Sequence, residues 1–252
     1  MLWAIDVGNT HIVVGLHDGS WRHVWRLDTS HYTTEDALAS ALHSLCQMSE
    51  VPFVADGMIV GSVVPAVDTH IGHFAQKWLK TEAMFLRTGE QIGLKVDYMP
   101  PTAVGADRIA NALGALERVA PPLVVVDFGT ATTFDCVGAD GHYKGGSIMP
   151  GIEVSAQSLA SKTAKLPQVA LEAPENAVGK TVTESLQSGL VLGYAGAVDA
   201  LCRQIKKELG SDTKFLVTGG LGKLFVERCE MLGEYDPYLT LDGLRLAFLK
   251  LV

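Results

Sequence analysis

The sequence predicts a duplicated α/β protein, and three observations carry that reading. Ala4-Ile5-Asp6-Val7-Gly8-Asn9-Thr10 and Val125-Val126-Asp127-Phe128-Gly129-Thr130-Ala131-Thr132-Thr133 repeat one device: an Asp at the end of an apolar run, a Gly two residues on, then small hydroxyl or amide residues. Each copy is followed by a second apolar run and an Asp-Gly pair, Asp18-Gly19 and Asp140-Gly141, which is a hairpin-turn signal. After three strand-like runs, each half then alternates helix-like and strand-like segments. The expected division is residues 1–118 and 119–252, each of roughly 120 residues and long enough to bury its own core.

In the first half, Leu2–Asp6, His11–His17 and Trp21–Leu27 are short apolar or aromatic runs of strand type. Thr33-Thr34-Glu35-Asp36 opens a helix, with Thr33 as its expected N-cap and Leu38, Leu42 and Leu45 at helical spacing. Gly57–Val64 reads as a buried strand, and Pro65 as the first residue of a helix carrying Ile71, Phe74 and Trp78. Between the halves, Pro100-Pro101 ends an extended stretch. A helix then begins near Thr102–Val104, runs through Ile109, Leu113 and Leu116, and is expected to cross from one half to the other.

The second half repeats the order. Leu123–Asp127, Ala131–Val137 and His142–Ile148 read as strands, and a helix begins near Gly151. A long helix is expected over Thr183–Leu209, with Leu186, Leu190, Tyr194 and Leu201 on related faces. Gly189, Gly193 and Gly196 lie inside it. Glycine within a helix costs about 1 kcal/mol against alanine, so close packing on another helix is the expected reason for them. Lys214–Thr218, a strand ending at Gly219-Gly220, corresponds to Met58–Val60 ending at Gly61.

Composition narrows the function. Hydrophobic residues make up 48% and charged residues 19% of the 252, the balance of an ordinary globular protein rather than a disordered one. A net charge of −8 argues against non-specific nucleic-acid binding, which relies on Lys and Arg neutralising phosphates. No apolar run approaches the roughly 20 residues of a membrane span, and no basic leader precedes the first strand, so neither membrane insertion nor export is expected. Cys46, Cys136, Cys202 and Cys229 form no CxxC pair and read as reduced thiols of a cytoplasmic protein.

Three constellations could do chemistry. A tight strand–Gly–strand turn exposes backbone N–H groups beside a carboxylate, and Asp6 and Asp127 sit at two such turns. Bare carboxylates repel phosphate by about 4 kcal/mol at 4 Å and an effective dielectric of 20, so the arrangement calls for cations between them. Mg²⁺ with ATP is therefore expected, together with a monovalent ion. Gly105-Ala106-Asp107-Arg108 opens the linking helix, where free N–H groups favour an anion. Arg108 offers a fork suited to a carboxylate, and Asp107 could take a proton from a hydroxyl. The same tetrapeptide also reads as an ordinary acidic helix start with a surface Arg. Tyr143-Lys144-Gly145-Gly146-Ser147-Ile148-Met149-Pro150-Gly151 suggests close backbone approach to a ligand, or a strand-edge bulge and a turn. Gly179-Lys180-Thr181 is not the end of a P-loop, because the motif's first Gly would fall on Pro174. Gly219-Gly220-Leu221-Gly222, placed after a second-half strand, reads as a floor for an adenine ring.

Together these residues resemble the acetate and sugar kinase/Hsp70/actin superfamily, and within it the type III pantothenate kinases. Asp6–Thr10 resembles the first phosphate motif, Gly105–Arg108 the Gly-x-Asp-Arg motif and Asp127–Asp135 the second phosphate motif. Gly145–Gly151 and Gln187-Ser188-Gly189 match two further segments. The resemblance covers nearly the whole chain. It implies duplicated ribonuclease H-like (actin-like ATPase) domains with a nucleotide cleft between them, and ATP-dependent phosphorylation of pantothenate, the first step towards coenzyme A. By position it implies Asp107 as proton acceptor, and Asp6, Val7, Gly8, Asn9, Thr10, His11, Ile12, Val13 and Thr130 around the ATP phosphates. Tyr98, Gly105, Ala106, Asp107 and Arg108 would hold pantothenate, and Asp127 would hold K⁺ or NH₄⁺. A homodimer is implied as well. The chain departs from the family at His11, where many relatives carry Asn. It departs again at Val182, where the family often places a substrate-contacting Thr; Thr181 and Thr183 flank that position. A sugar or acyl kinase of the same fold, or a ligand-sensing regulator, are the alternative readings of the residues.

Overall fold

The computed structural model describes residues 1–31 and 34–252. The chain forms two compact units, one of Met1–Arg118 with Tyr238–Val252 and one of Val119–Pro237. The last helix thus returns to the first unit instead of ending the second.

The first unit holds a five-stranded sheet in the order β3-β2-β1-β4-β5, from β1 (Leu2–Val7), β2 (His11–His17), β3 (Trp21–Asp28), β4 (Gly57–Ser62) and β5 (Ala83–Leu86). β1 runs antiparallel to β2 and parallel to β4, placing Asp6 between Val13 and Gly61. Side chains alternate across the sheet, so its two faces have different tasks. One face buries Trp3, Ile5, Val7, Ile12, Val14, Leu16, Met58 and Val60 against α1 (Glu35–Met48) and α2 (Pro65–Phe74). The N-cap of α1 is Thr34, whose hydroxyl accepts from the Ala37 N–H at 3.2 Å; the expected cap, Thr33, lies outside the described residues. Pro65 does open α2.

The opposite face is shaved flat. A Cβ on Gly57 would lie 2.4 Å from the Phe248 ring, one on Gly61 2.9 Å from Leu244, and one on Gly15 2.9 Å from Leu241. These three glycines, on β4 and β2, let α8 (Leu239–Leu251) lie directly on the strands. Helix α3 (Ala106–Arg118) packs on α8 backbone to backbone: a Cβ on Gly243 would lie 1.9 Å from the Ala110 carbonyl oxygen, and one on Gly114 2.6 Å from that of Leu239. Thr240 seals the contact by donating its hydroxyl to the fully buried Asn111 Oδ1 at 2.7 Å. The expected crossing of α3 between halves is corrected here, since the whole helix belongs to the first unit.

The second unit repeats the topology as β8-β7-β6-β9, from β6 (Leu123–Phe128), β7 (Ala131–Val137), β8 (Tyr143–Pro150) and β9 (Lys214–Thr218). A bridge between Val217 and Tyr235 stands where β5 stands in the first sheet. Its core packs Val124, Val126, Phe128, Phe134, Cys136, Phe215 and Val217 against α4 (Ile152–Lys162), α6 (Gly193–Leu209) and α7 (Gly222–Val226). The long helix expected over 183–209 is present, with α5 (Val182–Gln187), a π-helical turn at Ser188–Leu192 and α6 following one another without a break. Within the chain, a Cβ at Gly189, Gly193 or Gly196 would meet nothing within 4 Å, so the close helix packing expected of these glycines is not what the fold uses them for.

Two substitutions separate the kinds of glycine. Gly243→Ala would force backbone apart and is expected to cost about 3 kcal/mol or more, beyond ordinary overpacking. Gly196→Ala, in open space inside α6, is expected to gain about 0.5–1 kcal/mol. Urea unfolding of both variants against the parent checks the pair.

Candidate functional site

In the first unit the site begins at the β1–β2 turn. The Gly8 N–H donates to the His11 carbonyl at 2.9 Å, closing the turn and leaving Asn9 and Thr10 exposed at its tip. Thr29, which the sequence reading passed over, braces it from below. Its hydroxyl donates to the Gly8 carbonyl at 2.7 Å and its N–H to that of Thr10 at 2.9 Å. Val7 and Ile12 face the apolar core and are fully buried, so only their main chain can serve a ligand. Asp6, His11 and Val13 are half-buried. Asp6 shares its sheet face with Ala4 and so lies on the side that carries α8.

The start of α3 lies at the same sheet end. Gly61 is the register partner of Asp6, and its side-chain position is 3.7 Å from the Ala106 Cβ. One end of one sheet therefore presents both Asp6 and the first turn of α3, which carries Asp107. The Asp107 Oδ1 accepts the Arg108 N–H at 2.8 Å. Burial raises the Asp107 carboxyl above its ordinary range, with that hydrogen bond and the Arg108 charge opposing the rise. A Cβ on Gly105 would lie 2.5 Å from this carboxylate oxygen, so glycine is what lets the carboxyl fold back over the helix start. Arg108 is itself buried, at 8% exposure, so its cation is held in place rather than solvated. Tyr98 is part-exposed on the segment leading to Pro100-Pro101.

The second unit repeats the turn. The Gly129 N–H donates to the Ala131 carbonyl at 3.1 Å, and Thr130 is exposed at the tip. Gly151 fixes its position: its N–H donates to the Thr130 carbonyl at 3.0 Å, and a Cβ there would lie 2.3 Å from that oxygen. Tyr194 adds a second brace by donating to the Pro150 carbonyl at 2.8 Å, with the Thr132 hydroxyl also at 2.8 Å. No spacing rule points to Tyr194, which reaches this place only through packing.

Asp127 is next to last on β6, with Thr133 on β7 and Thr218 on β9 as its register partners. Its Oδ1 occupies the space that a Cβ on Gly219 would need, 2.5 Å away, and Gly219 has the positive φ of 88° that glycine adopts without strain. The carboxylate is thus cradled against glycine and flanked by hydroxyl-bearing residues. An all-oxygen donor set of this kind suits a hard cation, so the residues present fit a monovalent or divalent ion.

Val182 is about half exposed at the first turn of α5. The Thr181 hydroxyl is already the N-cap acceptor for the Glu184 N–H at 3.2 Å, and Glu184 reaches back to the Lys180 N–H at 2.7 Å. Gly179-Lys180-Thr181 is therefore a helix cap, with no P-loop strand before it. Gln187 and Ser188 hold the preceding loop, donating to the carbonyls of Ala170 at 3.1 Å and Ala177 at 2.6 Å.

Residues 2–204 match the family model of type III pantothenate kinase. A type III pantothenate kinase of Anaeromyxobacter sp. (strain Fw109-5) is 43% identical over 248 residues, 98% of each chain. Among solved structures, a Baf family transcriptional activator from Campylobacter jejuni is similar at a TM-score of 0.63 and 19% identity over 98% of each chain. MreB 5 of Spiroplasma citri bound to AMPPNP is similar at 0.57 and 9%, over 97% of this chain and 95% of that one. Likeness at such identity speaks to the fold alone, that of duplicated ribonuclease H-like, actin-like ATPase domains. The family match is of another order, and on its extent and identity this chain belongs to the type III pantothenate kinase family.

Proposed function

We propose that this chain transfers the γ-phosphoryl group of ATP to the primary hydroxyl of pantothenate, giving 4'-phosphopantothenate for coenzyme A synthesis. The observation that carries the reading is the placement of Asp107, a part-buried carboxyl at a helix start, on the sheet end that also presents Asp6. In this reading the Asp107 carboxylate accepts the hydroxyl proton as the oxygen attacks phosphorus, and ADP leaves. A base with a raised pKa is better matched to a weakly acidic hydroxyl than an ordinary carboxylate. Arg108, held rigid by burial, faces the pantothenate carboxylate, with Tyr98, Gly105 and Ala106 lining the substrate. The turn Asp6–Val13 and Thr130 hold the ATP phosphates, mainly through backbone N–H groups and the Asn9, Thr10 and Thr130 side chains.

Asp6 would hold Mg²⁺ and Asp127 K⁺ or NH₄⁺; bound there, these ions neutralise charge between carboxylate and phosphate. With Thr181 engaged as a helix cap, Val182 offers pantothenate only an apolar contact, and Thr183 is the hydroxyl left to serve in place of the family's Thr. A homodimer is part of the proposal. It is supported by exposed apolar side chains of the second unit, Ile148 at 63% and Val178 at 81% exposure. Among the described residues no helix is long and apolar enough to cross a membrane.

The deciding experiment is coupled ADP release with pantothenate, with and without K⁺. Full activity in Na⁺-only buffer would remove the monovalent-ion role of Asp127. Asp107→Asn is expected to lower kcat by roughly 100- to 10,000-fold while ATP binding, followed by calorimetry, stays within about threefold.

The same variant has a pH signature. A carboxyl whose folded pKa is raised favours the folded state while protonated, below its unfolded value, and loses that contribution as pH rises through the folded value. At neutral pH the parent therefore carries a destabilising charge that Asn lacks. Asp107→Asn should melt at a higher temperature than the parent at pH 7, and the gain should vanish below about pH 4, where Asp is protonated in both states. In the parent, kcat should fall on the acid side along a limb lying above the ordinary carboxylate range.

A further inference from the structure

The second phosphate turn ends in an aspartate to which the reading above gives no task. Asp135 lies on β7 with 0% exposure, and Tyr143 on β8 is equally buried. A carboxylate is rarely placed at such depth, because its desolvation is costly unless hydrogen bonds hold it. Here the Tyr143 hydroxyl donates to Asp135 Oδ1 at 2.9 Å, and the Thr133 hydroxyl donates to Oδ2 at 3.4 Å. Thr133 is in turn the cross-strand partner of Asp127. Residues directly opposite each other on antiparallel strands share a face, with Cβ atoms about 5 Å apart. Asp135, two residues beyond Thr133 on the same strand, is on that face too. Tyr143, Asp135, Thr133 and Asp127 therefore form one file along one side of the sheet, running from its buried interior to the turn.

The polarity of the file is fixed at the buried end. A threonine hydroxyl has one proton and two lone pairs. With its proton directed at Asp135 across a long contact of 3.4 Å, Thr133 turns lone pairs towards Asp127. That is the polarity a cation beside Asp127 requires. Tyr143 spends its own proton on the other oxygen of Asp135 and so holds the carboxylate in register.

We propose that Asp135, held by Tyr143, is a positioning residue that sets the Thr133 hydroxyl as a lone-pair donor and thereby establishes cation affinity at Asp127. The proposal rests on the assignment of a monovalent cation to Asp127. An Asn at position 135 keeps the shape but can present N–H to Thr133, releasing the threonine proton towards the cation. A Phe at position 143 loses only the hydroxyl that orients Asp135.

The test compares the parent with Asp135→Asn, Tyr143→Phe, Thr133→Val and Asp127→Asn. Two readouts are taken, the K⁺ concentration giving half-maximal activity and the shift in melting temperature on adding K⁺ in place of Na⁺ to the protein without substrates. For Asp135→Asn, Tyr143→Phe and Thr133→Val the half-activating K⁺ concentration should rise at least tenfold and the K⁺-dependent melting shift should be lost. Tyr143→Phe should keep kcat at saturating K⁺ within about twofold of the parent, and as the mildest change it carries the test if Asp135→Asn fails to fold. K⁺ responses equal to the parent's in Tyr143→Phe and Thr133→Val overturn the proposal while leaving Asp127 in place, provided Asp127→Asn abolishes them. A parent with no K⁺ response in either readout overturns the assignment of Asp127 and this proposal together.

Discussion

Helix α8 can lie on the first sheet only because the strands beneath it carry no side chains where it rests. Gly15, Gly57 and Gly61 remove the bulk, and Leu241, Leu244 and Phe248 fill the space. Helix α3 then leans on α8 at Gly114 and Gly243, closer than any Cβ would permit. This stack fixes where α3 begins. Its first turn meets Gly61, the partner of Asp6, so a contact made by the last helix of the chain determines where the carboxyl of Asp107 stands. Interiors are packed too tightly for such a stack to yield gradually, which makes the position of Asp107 a property of the whole first unit.

The two Asp-x-Gly turns share a plan and differ in their supports. In the first unit the turn is held from beneath by Thr29 at the end of β3. In the second the brace comes from Gly151 and Tyr194, on the segment that opens α4 and on α6. The acids differ as well. Asp6 and Asp127 stand next to last on strands that lead into the open turns, whereas Asp107 is desolvated at a helix start and Asp135 is sunk in the sheet. Burial has opposite uses in the last two. It raises the proton affinity of Asp107, which can then take up a proton, while around Asp135 the Tyr143 and Thr133 hydroxyls donate to the carboxyl oxygens.

Much of this was legible in the chain itself. The paired Asp-x-Gly turns and the alternating runs around them locate β1, β2, β6 and β7, because strand side chains have a strict period of two and each of these strands buries a face. The Gly105–Arg108 helix start was visible for the same local reason, a change of period after Pro100-Pro101. Three elements escaped. β5 is only four residues long and α7 only five. The apolar residues of α8, from Leu239 to Leu251, surround the helix rather than forming one stripe, with Gly243 in the middle, so no periodicity marks it. Its membership in the first unit depends on contacts far apart in sequence. Thr29 and Tyr194 were invisible for a similar reason, since a lone hydroxyl acquires meaning only from the carbonyl it meets. Gly189, Gly193 and Gly196 misled because a helix-interior glycine signals close approach only when something approaches, and within the chain nothing does.

Four thiols are sealed within this molecule. Cys46 sits in the core of the first unit, its acidity suppressed to a pKa of about 11, while Cys202 and Cys229 sit in that of the second, pushed to about 12, by desolvation above all. The thiolate is the reactive form, and at physiological pH it is nearly absent from these sites. Alkylating reagents must therefore wait for local or global unfolding, and the residue they capture reports which half of the molecule came apart. The chain carries its own breathing gauge, with a separate dial for each lobe.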